Sequence, residues 1–435
     1  MRMKIRKFFK LHELSTSIMI EITAGVSTFL ALSYIFVVNP AILSAGGINK
    51  SAVLFATVIT SSLATLAMGL WAKKPFAVAP GLEMNSYVVY YVIVVLGFSW
   101  QNALGIVFWS GVLFMILTLT KVRQAIIEAI PNTLKTGLAA AVGVFLMLIA
   151  LKISGIIFYE GISIKSFATS FNEKIFVFLI GLLLVMGLEK LKIRISILLS
   201  IIGATLFAHL ISFDFSGIEK VKISPEMFSA FLKLDIKSIL HPQLFSALII
   251  LFVLDFYGSV AKFIGLTLNT PILDKNGNMP NMKEALSVDG IATVVGSTLG
   301  TTSLTTFVES GVGINAGGRS GLTAVTCAIL MLLFIPLAPI LNLVPVEATT
   351  GALFWVGLKL IPNFKILKNW KLFESVSVIL MVIVTFITFA LDKAMLIGFL
   401  AFIVGLAFSG QLKSIKPFMV ITLILLLAGF ILTFI

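Results

Sequence analysis

Apolar stretches of about 20 residues follow one another along almost the whole of this 435-residue chain. A helix of that length can cross the hydrocarbon core of a lipid bilayer. A soluble domain needs far more polar surface than this chain offers, since 59% of its residues are hydrophobic and only 12% are charged. The sequence therefore predicts an all-α polytopic membrane protein. Clear examples of such stretches are 51–72, 137–153, 322–341, 374–391 and 416–435.

The net charge of +13 lies mainly in short segments between these stretches. Alternate loops rich in Lys and Arg are expected on the cytoplasmic side of a membrane. We therefore attribute this charge to membrane topology and expect no nucleic-acid partner. The expected topology is that of a plasma-membrane protein whose N-terminus lies in the cytoplasm. No small-residue cleavage site follows the basic N-terminus, so we expect no cleaved signal peptide. The clusters are Arg2 to Lys10, Lys73 and Lys74, Lys121 and Arg123, Lys190 to Arg194, and Lys365 to Lys371.

An internal repeat divides the chain into two halves. The segment IPNTLKTGLAAAVG (130–143) resembles VPVEATTGALFWVG (344–357), with identical residues at one constant offset, and a polar stretch (213–241) lies between them. A chance match of small-residue helices is the alternative. Two halves of seven spans would be inverted relative to each other, as in many secondary transporters. Hydropathy gives about fifteen segments, so we expect one of the last three apolar runs to be partial or part of a broken helix.

The third and tenth spans are both interrupted by Pro or Gly. The third reads PFAVAPGLEMNSYVVYYVI (75–93) and the tenth reads TTSLTTFVESGVGINAGG (301–318), and each begins with a short β-prone run (76–78 and 304–308). Lipid cannot satisfy free backbone groups, so broken backbone at this depth must face protein or an aqueous cavity. Two such interruptions at matching positions predict a binding site between the halves, where half-helix N-termini offer N–H groups to a polar ligand.

Ionisable residues inside apolar spans are candidates for function, because they are costly at membrane depth. Glu309 lies beside the break in the tenth span, and Asp255 lies in the middle of the eighth. Lys262 follows Asp255 by about two helical turns and therefore lies on a similar face of the helix. It is either a charge that pairs with a buried acid or a residue at the end of the span whose side chain extends to the membrane surface. Glu83 in the third span is similarly ambiguous between a functional and a structural role.

Other ionisable residues lie near the ends of spans. We expect Arg319 to mark a helix start at the membrane boundary, and we assign no function to His209. Asp289, Glu347 and Lys135 are expected to be solvated.

The buried carboxylates favour one chemistry. A carboxyl group in a low-dielectric cavity can carry a proton or hydrogen-bond a polar heterocycle, which suits proton-coupled uptake of a planar, uncharged solute. The sequence contains no cluster with metal-ligand spacing, no phosphate-binding loop with its Lys and no Ser-His-Asp ordering. We therefore expect no metal, no cofactor and no enzymatic activity.

Several segments resemble the nucleobase–ascorbate transporter family, in its branch of adenine/guanine/hypoxanthine permeases. They are EITAGVSTFLALSYIFVVNPAIL (21–43), APGLEMNSYVVY (79–90), TTFVESGVGINAGGRSGLTAV (305–325) and VPVEATTGALFWVG (344–357). The resemblance implies about fourteen spans in two inverted seven-span repeats, import of purine nucleobases by an elevator-like movement and, in many members, a homodimer. It implies a core domain of 14–125 with 240–342, and a gate domain of 126–239 with 343–435.

The resemblance also implies which residues bind substrate, between the half-helices of spans 3 and 10. The family's span-10 carboxylate falls on Glu309 and its span-8 acidic position on Asp255, and either could carry the coupled proton. Phe307 and Val308 would lie beside the base. The further implied positions are Ala79, Gly81, Asn85 and Ser310.

Three positions depart from the pattern of that branch. Gly258 stands where a second Asp is usual, Lys262 replaces a Thr, and Glu83 replaces a Gly. We expect Glu83 and Lys262 to form a compensating ion pair. Xanthine or uracil as substrate, and Na⁺ as coupling ion, stay open as alternatives. Outside this class, a non-transporting receptor and an anion transporter of the same architecture stay open, although two buried carboxylates would repel an anion.

Overall fold

The computed structural model describes residues 2–120, 131–160, 163–193, 195–211, 221, 223–267, 270–274, 279–362, 370–411 and 414–432. Five of the basic residues attributed to topology lie outside these ranges, as do positions 213–220 and 222 of the polar mid-chain stretch. The five are Lys121, Arg123, Arg194, Lys365 and Lys368.

Helices make up most of the described chain. In the first half they are α1 (Arg2–Phe8), α2 (Ile18–Leu32), α3 (Ile35–Ser44), α4 (Lys50–Leu70), α5 (Leu82–Ser86), α6 (Trp100–Leu119), α7 (Asn132–Ile153), α8 (Glu173–Lys190) and α9 (Ser196–Leu210). In the second half they are α10 (Phe245–Thr267), α11 (Met282–Leu299), α12 (Ser310–Asn315), α13 (Gly321–Leu332), α14 (Glu347–Leu360), α15 (Leu372–Thr388), α16 (Leu391–Phe408) and α17 (Pro417–Leu432).

The remaining elements are short. A π-helix (Tyr87–Ile93) continues α5, and 3₁₀ helices lie at Pro225–Phe228, Ile236–Leu240, Pro242–Leu244 and Ile335–Leu343. The strands are β1 (Val78–Pro80), β2 (Ile157–Glu160), β3 (Ser163–Phe167) and β4 (Leu304–Thr306), paired as β1 with β4 and β2 with β3.

Several helical segments are long and apolar enough to cross a membrane, which confirms a multi-pass helical membrane protein. Six meet this criterion within the described residues: Ile18–Ser44, Lys50–Leu70, Trp100–Leu119, Thr133–Ile153, Pro242–Thr267 and Leu391–Phe408. The last three apolar runs form separate helices α15, α16 and α17 of 17, 18 and 16 residues. None of the three is markedly shorter than the others, so the count of fourteen spans stays a prediction.

The interrupted third and tenth spans pair with each other through their strands. Val78 lies opposite Thr306 and Pro80 opposite Leu304 in an antiparallel ladder, and β1 begins two residues later than the β-prone run suggests. The ladder satisfies backbone groups that lipid would leave unpaired. A short helix follows each strand, so the two spans have the strand and half-helix that the sequence predicts.

Helices α7 and α14, which carry the repeated segment, pack closely through matching glycines. A Cβ atom at Gly143 would lie 2.5 Å from the carbonyl oxygen of Gly357, and one at Gly357 would lie 2.6 Å from that of Gly143. Small residues allow such close approach between helices in a membrane. The two copies of the repeat therefore form a direct helix–helix contact.

This contact predicts a position-specific effect of alanine. We expect Gly143→Ala to lower the free energy of unfolding by about 1–3 kcal/mol, because the helices must separate. Gly187 is the matched control, since a Cβ atom there meets nothing within 4 Å. Gly187→Ala should be neutral or stabilise by up to about 1 kcal/mol, because Ala favours helix. Thermal unfolding of both variants in detergent tests this, and equal effects would contradict the close packing.

Candidate functional site

A cavity of about 520 Å³ lies beside the two half-helices. This volume is in the range of small-molecule sites. Its wall is mostly apolar, with charged groups from Glu83, Lys135, Lys262 and Glu309. The two spans predicted to be interrupted thus lie beside a cavity whose mainly apolar wall contains a few ionisable groups.

Glu309 directly precedes α12 and lines this cavity. The Tyr34 hydroxyl donates a hydrogen bond to Glu309 Oε1 at 2.8 Å. The other oxygen, Oε2, is buried and has no hydrogen-bond partner among the described residues. A buried oxygen without a donor is costly, so it is suited to accept an N–H group of a ligand or to hold a proton.

Two aromatic rings flank this carboxylate. Phe307 is 6% exposed and lines the cavity, and its ring centroid lies 6.5 Å from that of Tyr34. The Phe307 N–H donates to the carbonyl oxygen of Ala77 at 2.9 Å, which holds its backbone against the third span. Val308, next in sequence, is 59% exposed and also lines the cavity. These side chains form an apolar surface beside the carboxylate, against which a flat ring of a ligand can pack.

The Tyr34 hydroxyl should contribute to ligand binding in this cavity through Glu309. We expect Tyr34→Phe to weaken the apparent affinity for a ligand of the cavity by about tenfold, because Glu309 loses the donor that orients it. Tyr34→Leu removes the ring as well and should lose more. Ligand titration of the purified variants in detergent measures both effects. Unchanged affinity in Tyr34→Phe would show that the hydrogen bond does not position the carboxylate.

The structure brings Glu83 and Lys262 together in the cavity wall. Lys262 Nζ lies 3.3 Å from Glu83 Oε1, with the two side chains 19% and 21% exposed. It also donates to Thr305 Oγ1 at 3.4 Å. Gly258 lines the cavity nearby, and a Cβ atom there would meet nothing within 4 Å. Whether the pair compensates for the altered eighth span stays a prediction.

Asp255 is not among the residues that line the cavity. Its carboxylate is fully buried and accepts a hydrogen bond from Thr293 Oγ1 at 2.9 Å. The same hydroxyl oxygen accepts from the Leu304 N–H at 3.1 Å. Asp255 Oδ1 has no partner among the described residues. In this geometry Asp255 acts on strand β4 through Thr293, and its direct contact with substrate stays a prediction.

The remaining predicted positions also lie outside the cavity wall and hold the broken spans in place. Asn85 is fully buried, donates to Asn39 Oδ1 and accepts from the Thr302 hydroxyl. Ser310 Oγ accepts from the Ala77 N–H at 2.9 Å. Ala79 is opposite Thr305 in the ladder, and Gly81 precedes α5.

Asp289 corrects one expectation, since it is not solvated but fully buried. Its Oδ2 accepts from Ser259 Oγ at 2.6 Å and from the Thr306 N–H at 3.1 Å, and its Oδ1 accepts from Thr306 Oγ1 at 3.2 Å. The expectation was wrong because α11 packs this side chain against β4, which hydropathy does not show. Glu347 is likewise buried, at 7% exposure, and pairs with Lys174 at 2.9 Å. Lys135, also expected to be solvated, is half-buried and lines the cavity.

Two groups join the ends of α12 and α13. The fully buried Glu21 accepts hydrogen bonds from the Arg319 N–H at 2.9 Å and from Thr323 Oγ1 at 2.6 Å. The Arg319 guanidinium donates to the carbonyl oxygens of Ile314 and Gly318, at 2.5 and 2.8 Å. Arg319 thus lies just before a helix start, as the sequence predicts, and its side chain stabilises backbone instead of lining the cavity.

A model of a permease family matches residues 19–394 of the chain. This protein belongs to the nucleobase–ascorbate transporter family. As a member of this family it is a transporter and not an enzyme. An adenine permease of Escherichia coli (strain K12) is 31% identical over 97% of this chain and 94% of its own length. A guanine/hypoxanthine permease of Bacillus subtilis (strain 168) is 32% identical over 96% and 98%.

The fold of this family member is shared with a more distant solved structure. The transmembrane domain of a cyanobacterial bicarbonate transporter superposes with a TM-score of 0.67, covering 87% of this chain and 96% of that one, at 15% identity. Identity this low indicates a common fold and nothing about substrate.

Proposed function

We propose that this nucleobase–ascorbate transporter family member imports purine nucleobases (adenine, guanine or hypoxanthine) across the plasma membrane together with protons. The observation that carries the proposal is the Glu309 carboxylate, which lines the cavity with one oxygen held by Tyr34 and the other without a donor. The two permeases of E. coli and B. subtilis, whose names give purine substrates, support it.

The base enters as a flat, neutral ring beside Phe307 and Val308. An N–H group of the base donates to Glu309 Oε2 and removes the cost of a buried oxygen without a donor. A proton binds the same carboxylate together with the base, so that this group is neutral while the loaded site crosses the membrane. Proton and base are then released on the same side, and the empty site returns without that proton. Asp255 supports the site by holding β4 through Thr293.

The cavity wall is formed by two sets of segments, those of the proposed core domain (14–125 with 240–342) and those of the proposed gate domain (126–239 with 343–435). This arrangement supports an elevator-like movement of the core domain against the gate domain. Glu83, Lys262 and Glu309 belong to the core segments, together with both strands of the ladder. The gate segments contribute Lys135 and a mainly apolar surface, along which the core can slide. This surface includes Leu134, Leu138, Val142, Val356, Leu360 and Phe399.

The inverted arrangement of fourteen spans, the cytoplasmic N-terminus and the homodimer are parts of the same proposal. The antiparallel pairing of β1 with β4 supports inversion, because the third and tenth spans meet as equivalent elements running in opposite directions. The reciprocal contact of Gly143 with Gly357, at matching positions of the repeat, supports it as well.

Uptake into proteoliposomes tests the substrate class. Radiolabelled adenine, guanine, hypoxanthine, xanthine and uracil are supplied under an inward proton gradient, with and without a protonophore, and with Na⁺ replaced by choline. We expect purine uptake that the protonophore abolishes and that choline does not alter. Preferred uptake of xanthine or uracil, or loss of uptake in choline, would overturn that part of the proposal. Binding without flux would identify a receptor.

Anion transport by the same architecture is the alternative that the sequence left open, and the fold shared with a bicarbonate transporter does not decide it, because a fold does not fix the substrate. The carboxylate of Glu309 in the cavity wall opposes it by repelling anions, whereas the charge of Glu83 is balanced by its partner Lys262. Bicarbonate uptake by the same vesicles, in the absence of any purine uptake, would favour this candidate.

A further inference from the structure

Lys262 reaches from α10 into a set of oxygen atoms contributed by the two broken spans. Its ammonium nitrogen lies 3.3 Å from Glu83 Oε1 and 3.4 Å from Thr305 Oγ1. Ser259 Oγ lies 3.0 Å from Thr305 Oγ1 and donates to Asp289 at 2.6 Å. One carboxylate and one hydroxyl thus contact the ammonium directly, and a second hydroxyl and carboxylate lie just behind them.

Carboxylate and hydroxyl oxygens are the ligands that hard, monovalent or divalent cations take in proteins. An ammonium group carries the same charge as an alkali cation and binds the same oxygen atoms by hydrogen bonds. Without a positive charge here, the Glu83 carboxylate would need a proton or a metal ion before the site could cross a membrane.

We propose that Lys262 is a tethered cation, which permanently fills an oxygen-lined cation position in the transport site. The inference rests on the proposed function for one of its two measurements, purine flux; the other measurement, thermal unfolding, does not require transport. Glu83 then needs no dissociable ion, and coupling is left to Glu309. A small cation from solution should therefore be able to replace the ammonium once the side chain is removed.

The Lys262→Ala variant tests this inference. Its activity is measured by counterflow of labelled purine, with the same pH on both sides of the membrane, because methylammonium, one of the added cations, would collapse a pH gradient. We expect counterflow to fall by about tenfold in choline medium, because Glu83 loses its partner. Added Na⁺, K⁺ or methylammonium should restore a large part of it. The wild-type protein should respond to none of these cations, since its own ammonium occupies the position.

Lys359→Ala is the matched control, because Lys359 pairs with Glu189 outside the cavity wall. Its counterflow should not depend on any added cation. The double variant Glu83→Gly/Lys262→Thr removes both charges, so its counterflow should also be indifferent to added cations.

Thermal unfolding in detergent provides a readout that does not need flux. The melting temperature of Lys262→Ala should rise with Na⁺, K⁺ or methylammonium, and those of wild type and Lys359→Ala should not. A Lys262→Ala protein that responds to no cation in either assay overturns the inference, even when wild-type purine flux is intact. Absence of purine flux in the wild type, with a cation-dependent melting temperature in Lys262→Ala, would instead reject the proposed substrate and leave the tethered cation standing.

Discussion

Purine uptake by Glu309→Gln should fall by about 100-fold, although the protein should fold and reach the membrane as the wild type does. The amide keeps the shape of the side chain and an oxygen that can still accept from Tyr34. It loses the second acceptor oxygen and cannot exchange a proton. Both proposed roles of Glu309, recognition of a base N–H and proton transfer, therefore disappear together.

Two further variants make this expectation specific. Glu309→Asp keeps the charge but shortens the side chain, so it should retain a small part of the uptake and all of its sensitivity to a protonophore. Glu13→Gln changes an exposed carboxylate paired with Lys10 and should transport normally. Near-normal, proton-dependent uptake by Glu309→Gln would contradict the assigned role of this carboxylate.

Asp289→Ala should cause the largest loss of stability, about 3–5 kcal/mol in the free energy of unfolding. The change removes the acceptor of three buried donors: the Thr306 N–H, the Thr306 hydroxyl and the Ser259 hydroxyl. The Ser259 hydroxyl can turn to Thr305 Oγ1 at 3.0 Å, so most of the cost falls on Thr306. These donors fix strand β4, which directly precedes Phe307 and Glu309. Uptake should therefore fall together with stability.

Asp289→Asn separates charge from hydrogen bonding. One amide oxygen remains as an acceptor, so the loss of stability should be smaller than in Asp289→Ala. Thermal and denaturant-induced unfolding in detergent compare the two variants with wild type. An Asp289→Ala protein as stable as wild type would mean that Asp289 does not anchor the strand.

The sequence predicts the features of this fold that depend on local composition. Long apolar runs require membrane-spanning helices, and Pro80, Gly81 and the glycines after Glu309 predict where two spans break. The pairing of Val78 with Thr306 could not be predicted, because strand register depends on how distant segments meet. The same holds for the contact between Gly143 and Gly357.

The candidate site divides in the same way. Glu309 could be found because a carboxylate at membrane depth is exceptional, and the resemblance to a family assigned Phe307 and Val308. The role of Tyr34 could not be predicted from the sequence, because tyrosines are common in apolar spans and the sequence does not show which group the hydroxyl contacts. Asp289 was misjudged because its position near a span end resembles that of a solvated residue, whereas its surroundings come from another span.

Proton movement driven by substrate tests whether purine import is coupled to protons through Glu309. Proteoliposomes containing a pH-sensitive dye, at equal pH inside and outside, receive adenine, guanine or hypoxanthine from outside. A purine should acidify the lumen of wild-type vesicles, a protonophore should abolish the signal, and Glu309→Gln vesicles should give none. Purine entry without acidification, or acidification that persists in Glu309→Gln, would contradict proton-coupled transport through this carboxylate.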